Sequence, residues 1–167
     1  MNPDPGTPTS GGNWLAYSLA TWFGAGFLPK APGTWGSLTA LPLAWLLLEF
    51  VGLYGLASAT FLLLAAGVWA AQKYIERSGR NDPSEVVIDE VVGQWLTIVL
   101  IALFSSFHDS VANYGLAFVA FRLFDIWKPF PIAFVERRFD DGLGIMIDDL
   151  IAAVYAAAAG LLLGAVL

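Results

Sequence analysis

The sequence predicts an all-α protein: a multi-pass membrane helical bundle of about four to five membrane spans, with an N-terminal interfacial or re-entrant helix. Three observations carry that expectation. The 167-residue chain is 57% hydrophobic and only 13% charged, with a mean hydropathy of +0.68, far more apolar than an ordinary soluble domain. Its apolar residues gather in runs separated by short polar turns, and its basic residues, counted across those runs, all fall on one side.

Residues 1–12, MNPDPGTPTSGG, lack a basic n-region and are rich in Pro, Gly, Ser and Thr, so they read as a disordered tail rather than a signal peptide. Residues 13–167 form a single membrane domain. The segment from Asn13 to Phe27, NWLAYSLATWFGAGF, is aromatic and broken by glycine, as an interfacial or re-entrant helix would be. From Leu38 to Ala71 runs an apolar block interrupted by Glu49 and by VGLYG at Val51 to Gly55. One crossing helix needs about 20 residues, so the block suits two short spans joined by a tight turn. A polar loop from Gln72 to Pro83 precedes a third span, Val91 to Phe104, which is short for a hydrocarbon core of about 30 Å. SSFHDS makes a turn, Val111 to Phe124 is the fourth span, and Ile147 to Leu167 is the fifth.

If the chain enters the first span from the cytoplasm, Lys30, Lys73, Arg77, Arg80, Arg122, Lys128, Arg137 and Arg138 all fall on or near the cytoplasmic side. None falls in an outer loop, which is the positive-inside pattern. The absence of cysteine excludes disulfides, thiolate metal sites and a cysteine nucleophile. The net charge of −6 gives no reason to expect a nucleic-acid partner.

The same counting sorts the acids. Asp89 and Glu90 lead into the third span, Asp125 ends the fourth, and Asp148 and Asp149 open the fifth, so five carboxylates converge on one membrane face. A single acid at a helix N-terminus is ordinarily a cap. Five at a membrane edge, where ionised groups are costly unless paired or metal-bound, point to a site. Arg122, Asp125 and Lys128 recur at i, i+3, i+6 along one side of a helix end. They form either a salt-bridge ladder or two cations facing an anionic ligand beside a carboxylate facing a cation. The loop GFLPKAPGTWGSLTALP, Gly26 to Pro42, offers Lys30, glycines including Gly33 and Gly36, and the hydroxyls of Thr34 and Ser37. A helix expected to begin near Ser37 points its N-terminus at that loop, which lacks the GK[ST] ending of a Walker loop. Hard oxygen ligands, no thiols and nearby cations suggest Mg²⁺ and a phosphate ester. Phosphocysteine chemistry is excluded, His108 is the only histidine and falls on the outer side, and no D-x-D-x-[T/V] motif occurs. A metal-activated water remains.

Four blocks carry a family resemblance: FGAGFLPKAPGTWGSLTALP from Phe23, VIDEVVGQW from Val87, FRLFDIWKPFPI from Phe121 and GLGIMIDDLIA from Gly142. In that order they resemble the phosphatidylglycerophosphatase A family. The resemblance implies a Mg²⁺-dependent enzyme of the bacterial cytoplasmic (inner) membrane. Acting at the cytoplasmic face of the lipid bilayer, it would hydrolyse phosphatidylglycerophosphate to phosphatidylglycerol and inorganic phosphate. It points to Asp89, Glu90, Asp125, Asp148 and Asp149 as metal ligands, and to Arg122 and Lys128 as phosphate holders. Lys30, Pro32, Gly33, Thr34, Gly36 and Ser37 would complete the substrate loop, and Asp89, Glu90, Arg122, Asp125, Lys128 and Asp149 would form the catalytic set. Asp141 departs from the pattern, standing where a second glycine is expected. Neighbours on a helix point about 100° apart, so Asp148 and Asp149 are expected to divide the work, one on the metal and one in support. Two rival classes fit less well. A CDP-alcohol phosphotransferase-like enzyme needs a long D-G-x2-A-R motif of which DDGLG at Asp140 is only a fragment, and a small ion-coupled transporter should carry its acids near the bilayer midplane.

Overall fold

The structure, a computed structural model, describes residues 13–104, 110–132, 134 and 141–164. The N-terminal tail, most of the SSFHDS turn with His108, and Asp140, Arg137 and Arg138 lie outside the described residues. Among those described, every regular element is helical: α1 Asn13–Ala20, a 3-10 turn Ala25–Phe27, α2 Pro32–Ser78, α3 Ile88–Phe104, α4 Val111–Trp127 and α5 Gly142–Gly164. The all-α expectation holds.

α2 is not one straight helix but two helical stretches meeting at a kink. Gly52 sits at φ 80°, ψ −179°, a conformation outside the helix and open essentially to glycine alone. A Cβ on Gly36 would press on Val87, and one on Gly67 would press on Ile88. Those two glycines are 31 residues apart, about 46 Å along a straight helix at 1.5 Å per residue. Both therefore reach adjacent residues at the entry to α3 only because the chain folds back at Gly52, making two arms over 32–51 and 53–78. The apolar block thus divides at VGLYG.

Two helix starts differ from the sequence expectation. α2 begins at Pro32 rather than near Ser37. Lys30 and Ala31 are left-handed (φ 61° and 52°), and the Ala31 carbonyl accepts from the amides of Thr34 and Trp35 at 3.0 and 3.4 Å. Proline at the first position has no N–H to leave unsatisfied and a φ already suited to the helix. α5 begins at Gly142, five residues before Ile147, because Asp141 caps it: its Oδ1 accepts from the Gly144 amide at 2.8 Å. Asp148 and Asp149 consequently lie about two turns into the helix and are not its caps. Asp141, where glycine was expected, supplies the cap instead.

α3 is the centre of the bundle, packing against both arms of α2 and against α5. Ile88, Val91, Val92, Trp95, Ile98 and Val99 are buried along it, and the Trp95 indole donates to the Ala40 carbonyl at 2.9 Å. Ser110 caps α4, its Oγ accepting from the Asn113 amide at 3.2 Å. α1 buries Ala16 and Ala20 while Trp14 and Leu15 stay exposed, and the Ala20 carbonyl accepts from the Val87 amide at 2.8 Å. Pro32–Ser78 and Gly142–Leu163 are long and apolar enough to cross a membrane. Only 17% of the most apolar stretch of α2 is buried, so its apolar surface faces outward rather than into a core.

Candidate metal and phosphate site

Three close approaches build the site. A Cβ on Gly93 would lie 2.6 Å from the Phe121 ring and 3.1 Å from the Asp149 carbonyl oxygen, so glycine here lets α3, α4 and α5 converge. A Cβ on Gly33 would overlap Glu90 Oε1 and come within 3.1 Å of Arg122 Nη1, so the start of α2 closes directly over the α3 acids. At Gly142 a Cβ would collide with the Val68 carbonyl and the Gln72 backbone, and the Gly142 amide donates to Gln72 Oε1 at 2.9 Å. That contact sets the depth of α5 against α2 and with it the level of Asp148 and Asp149.

The result is a cavity of about 320 Å³. The helices and their ends contribute Asp89 and Glu90 from the first turn of α3, Arg122 and Asp125 from α4, Lys128 just beyond it, and Asp148 and Asp149 from α5. Ala31, Pro32 and Gly33 close one side, Gly144 and Ile145 another, and the α2–α3 loop contributes Asn81, Asp82, Ser84 and Val86.

Within this lining the charges split into two groups. The first is paired. Arg122 Nη1 lies 2.6 Å from Asp125 Oδ2 and 3.8 Å from Glu90 Oε1, and donates to Ser37 Oγ at 3.5 Å. Ser37 Oγ in turn donates to the Gly33 carbonyl at 3.0 Å. Lys128 is left-handed (φ 46°) at the end of α4 and reaches Asp148 Oδ2 at 2.9 Å, leaving the i, i+3, i+6 line of its own helix. Asp148 Oδ1 accepts from the Asp149 amide at 3.0 Å.

The second group is an acid cluster in which Glu90 reaches Arg122 only at 3.8 Å through Oε1 and each residue keeps an oxygen without a donor. Asp89, Glu90 and Asp149 each offer a carboxylate oxygen within 4.8 Å of the others, and Asp89 Oδ1, Glu90 Oε2 and Asp149 Oδ2 are buried without a hydrogen-bond partner. Two ionised carboxylates at that separation repel by about 3.5 kcal/mol at an effective dielectric constant near 20. Buried oxygens without donors cost further desolvation. Among the described lining residues of the cavity, six carboxylates, Asp82 included, stand against two cations. Oxygen-only donors, excess negative charge and orphaned lone pairs are what a hard divalent cation satisfies. Arg122 Nε is also buried without an acceptor, so the guanidinium keeps a donor available.

The structure thus brings Asp89, Glu90, Arg122, Asp125, Lys128, Asp148, Asp149 and Gly33 to one cavity and joins Ser37 to it through Arg122. Of the rest of the substrate loop it brings only Pro32, which lines the cavity beside Gly33. Lys30 is exposed and outside the lining, as is half-buried Thr34, and Gly36 packs against Val87. Because α2 starts at Pro32, the amides of Gly36 and Ser37 belong to the helical ladder and those of Thr34 and Trp35 to the Ala31 turn. The amides from Thr34 to Ser37 are thus engaged within α2 and its first turn. The residues that sequence reasoning passed over are Asn81, Asp82 and Ser84, whose only signal was a polar loop just ahead of the acidic pair.

The phosphatidylglycerophosphatase A family model matches residues 18–164. Phosphatidylglycerophosphatase A of Haemophilus influenzae is 41% identical over 138 residues, covering 83% of this chain and 82% of the relative. That of Escherichia coli K12 is 39% identical over 139 residues, covering 83% and 77%. A putative phosphatidylinositol-3-phosphatase of Bacteroides thetaiotaomicron is 38% identical over 149 residues, covering 86% and 90%. No solved structure matches the chain.

Proposed function

The chain belongs to the phosphatidylglycerophosphatase A family, and on that premise we propose that it is a Mg²⁺-dependent lipid phosphatase converting phosphatidylglycerophosphate to phosphatidylglycerol and inorganic phosphate. The observation that carries this reading is the trio of orphaned carboxylate oxygens on Asp89, Glu90 and Asp149, lying in one cavity with Arg122 and Lys128. Those three carboxylates would hold the ion. Asp125 and Asp148, already bonded to Arg122 and Lys128, position the two cations instead. A bound Mg²⁺ supplies Lewis-acid polarisation of the phosphoryl group and lowers the pKa of a coordinated water.

The chain's own side chains do the rest. The planar fork of Arg122, oriented by Asp125 and Ser37, suits two non-bridging phosphoryl oxygens. Lys128, oriented by Asp148, adds a point charge where negative charge develops in the transition state. The two arms of α2 with α3, α4 and α5 would supply up to five spans, with the cavity at one end of the bundle. Arg80 lies next to the cavity-lining loop and Arg122 and Lys128 line the cavity, which supports a cytoplasmic site by the positive-inside rule. The substrate's acyl chains would then remain in the bilayer while its headgroup enters the cavity. The Bacteroides relative's name substitutes an inositol for a glycerol headgroup; what the two names share is a phosphomonoester on a polyol-bearing membrane lipid.

Purified protein in detergent micelles, given phosphatidylglycerophosphate, should release inorganic phosphate with Mg²⁺ and stop with chelator. Asp149→Asn should lose about 10²- to 10³-fold in rate while keeping a cooperative thermal transition. No release under either condition would refute the phosphatase reading. Undiminished release in chelator would refute the metal.

A further inference from the structure

The cavity lining has two parts of different origin. One holds the charges just described. The other is the loop between α2 and α3, which contributes Asn81, Asp82 and Ser84, and phosphoryl transfer makes no use of it. We propose that this loop reads the headgroup: Asn81, Asp82 and Ser84 bind the free hydroxyl of a polyol phosphate, so that phosphomonoesters with a hydroxyl beside the phosphate are preferred. The proposal rests on the phosphatase reading above and names residues for its specificity.

Size, chemistry and rigidity argue for it. At about 30 Å³ per water-sized group, a cavity of this volume holds on the order of ten non-hydrogen atoms, and a phosphoryl group with one ion fills about half. The remainder fits a three-carbon polyol next to the loop. The loop's side chains match hydroxyl groups in kind: a carboxylate accepts an O–H, an amide both accepts and donates, and a seryl hydroxyl does the same. The carboxylate is the strongest acceptor of the three for a neutral donor.

The loop is also held in place. Gly79 turns the chain at φ 66°, and the Arg80 amide donates to Ser78 Oγ at 3.2 Å. Arg80 grips Glu85 through Nη2, at 3.0 and 2.9 Å to the two carboxylate oxygens, spanning the loop from one end to the other. Pro83 is buried, its carbonyl accepts from the Val86 amide at 2.9 Å, and Val87 is anchored to Ala20. Asn81, Asp82 and Ser84 are therefore presented on a braced turn, and recognition of a small group needs that pre-organisation.

The test compares kcat/KM for phosphatidylglycerophosphate with that for its analogue in which the headgroup hydroxyl is replaced by hydrogen, both in mixed micelles with Mg²⁺. Wild-type protein should prefer the hydroxylated lipid by about 10- to 100-fold, the worth of one or two good hydrogen bonds. Asn81→Ala and Ser84→Ala should each bring that ratio toward one, and Ser84→Thr, which keeps the hydroxyl, should largely restore it. Damage to the fold would lower both rates together and leave the ratio unchanged, so an unchanged ratio in both alanine variants overturns the proposal, as does a wild-type ratio near one. Failure of wild-type protein to hydrolyse either lipid would bring down the phosphatase reading itself and this proposal with it.

Discussion

Replacing Gly33 with alanine tests the site more sharply than removing any charge. The added Cβ overlaps Glu90 Oε1, and Arg122 Nη1 lies 3.1 Å away. Glu90 must retreat by at least about 1 Å, which separates it from Asp89 and Asp149 and disturbs Arg122. Because the obstacle is the tip of a flexible side chain, the stability cost should sit at the low end of overpacking, about 1 kcal/mol, a fall in Tm of about 2–4 °C for a chain this size. The catalytic cost should be larger, since a misplacement of about 1 Å can remove 10²-fold in rate. Gly93→Ala gives the contrast: its Cβ meets the Phe121 ring and the Asp149 backbone, neither of which can swing aside, so about 3 kcal/mol of stability should go. Thermal unfolding and phosphate release measured on the same preparations separate the two. If Gly33→Ala keeps activity within threefold of wild type, the closure of α2 over Glu90 is not part of the active arrangement and the reasoning fails.

Gly52→Ala adds no clash, since nothing lies within 4 Å of its Cβ. Any loss is therefore backbone strain at φ 80°, expected at about 1–3 kcal/mol, and an unchanged Tm would contradict the fold-back. Asp141→Ala removes the α5 cap and should cost about 1 kcal/mol with kcat/KM within threefold, whereas Asp141→Asn should retain most of that stability. Asp89→Asn removes one of three mutually repelling charges: in chelator Tm should rise, while Mg²⁺-dependent stabilisation and activity should both disappear. A lower Tm in chelator would show that these carboxylates do not share a site.

Much of the helical plan is readable without coordinates. A long apolar run that enters lipid satisfies its own backbone groups as a helix, and VGLYG marks a break because glycine alone tolerates the backbone found at Gly52. The charged residues were conspicuous for the same reason, since an apolar chain does not carry Asp89, Glu90, Arg122, Asp125, Lys128, Asp148 and Asp149 in and beside its apolar runs without compensation. Helix starts were less legible. Pro32 and Asp141 each begin a helix five or six residues before the hydrophobic pattern does, because capping is decided by single hydrogen bonds that hydropathy does not register.

The sequence by itself determined which residue types could meet: hard-ligand carboxylates, two cations, and glycines thin enough to let helices touch. Only the tertiary structure decided how they divide. Asp149 stands with Asp89 and Glu90, whereas Asp148, its neighbour in sequence, holds Lys128, and the polar loop ahead of α3 brings Asn81, Asp82 and Ser84 into the same cavity. The reason is geometric. Successive residues diverge by about 100° around a helix, and which direction meets which partner depends on the close contacts at Gly33, Gly93 and Gly142, which join residues far apart in the chain.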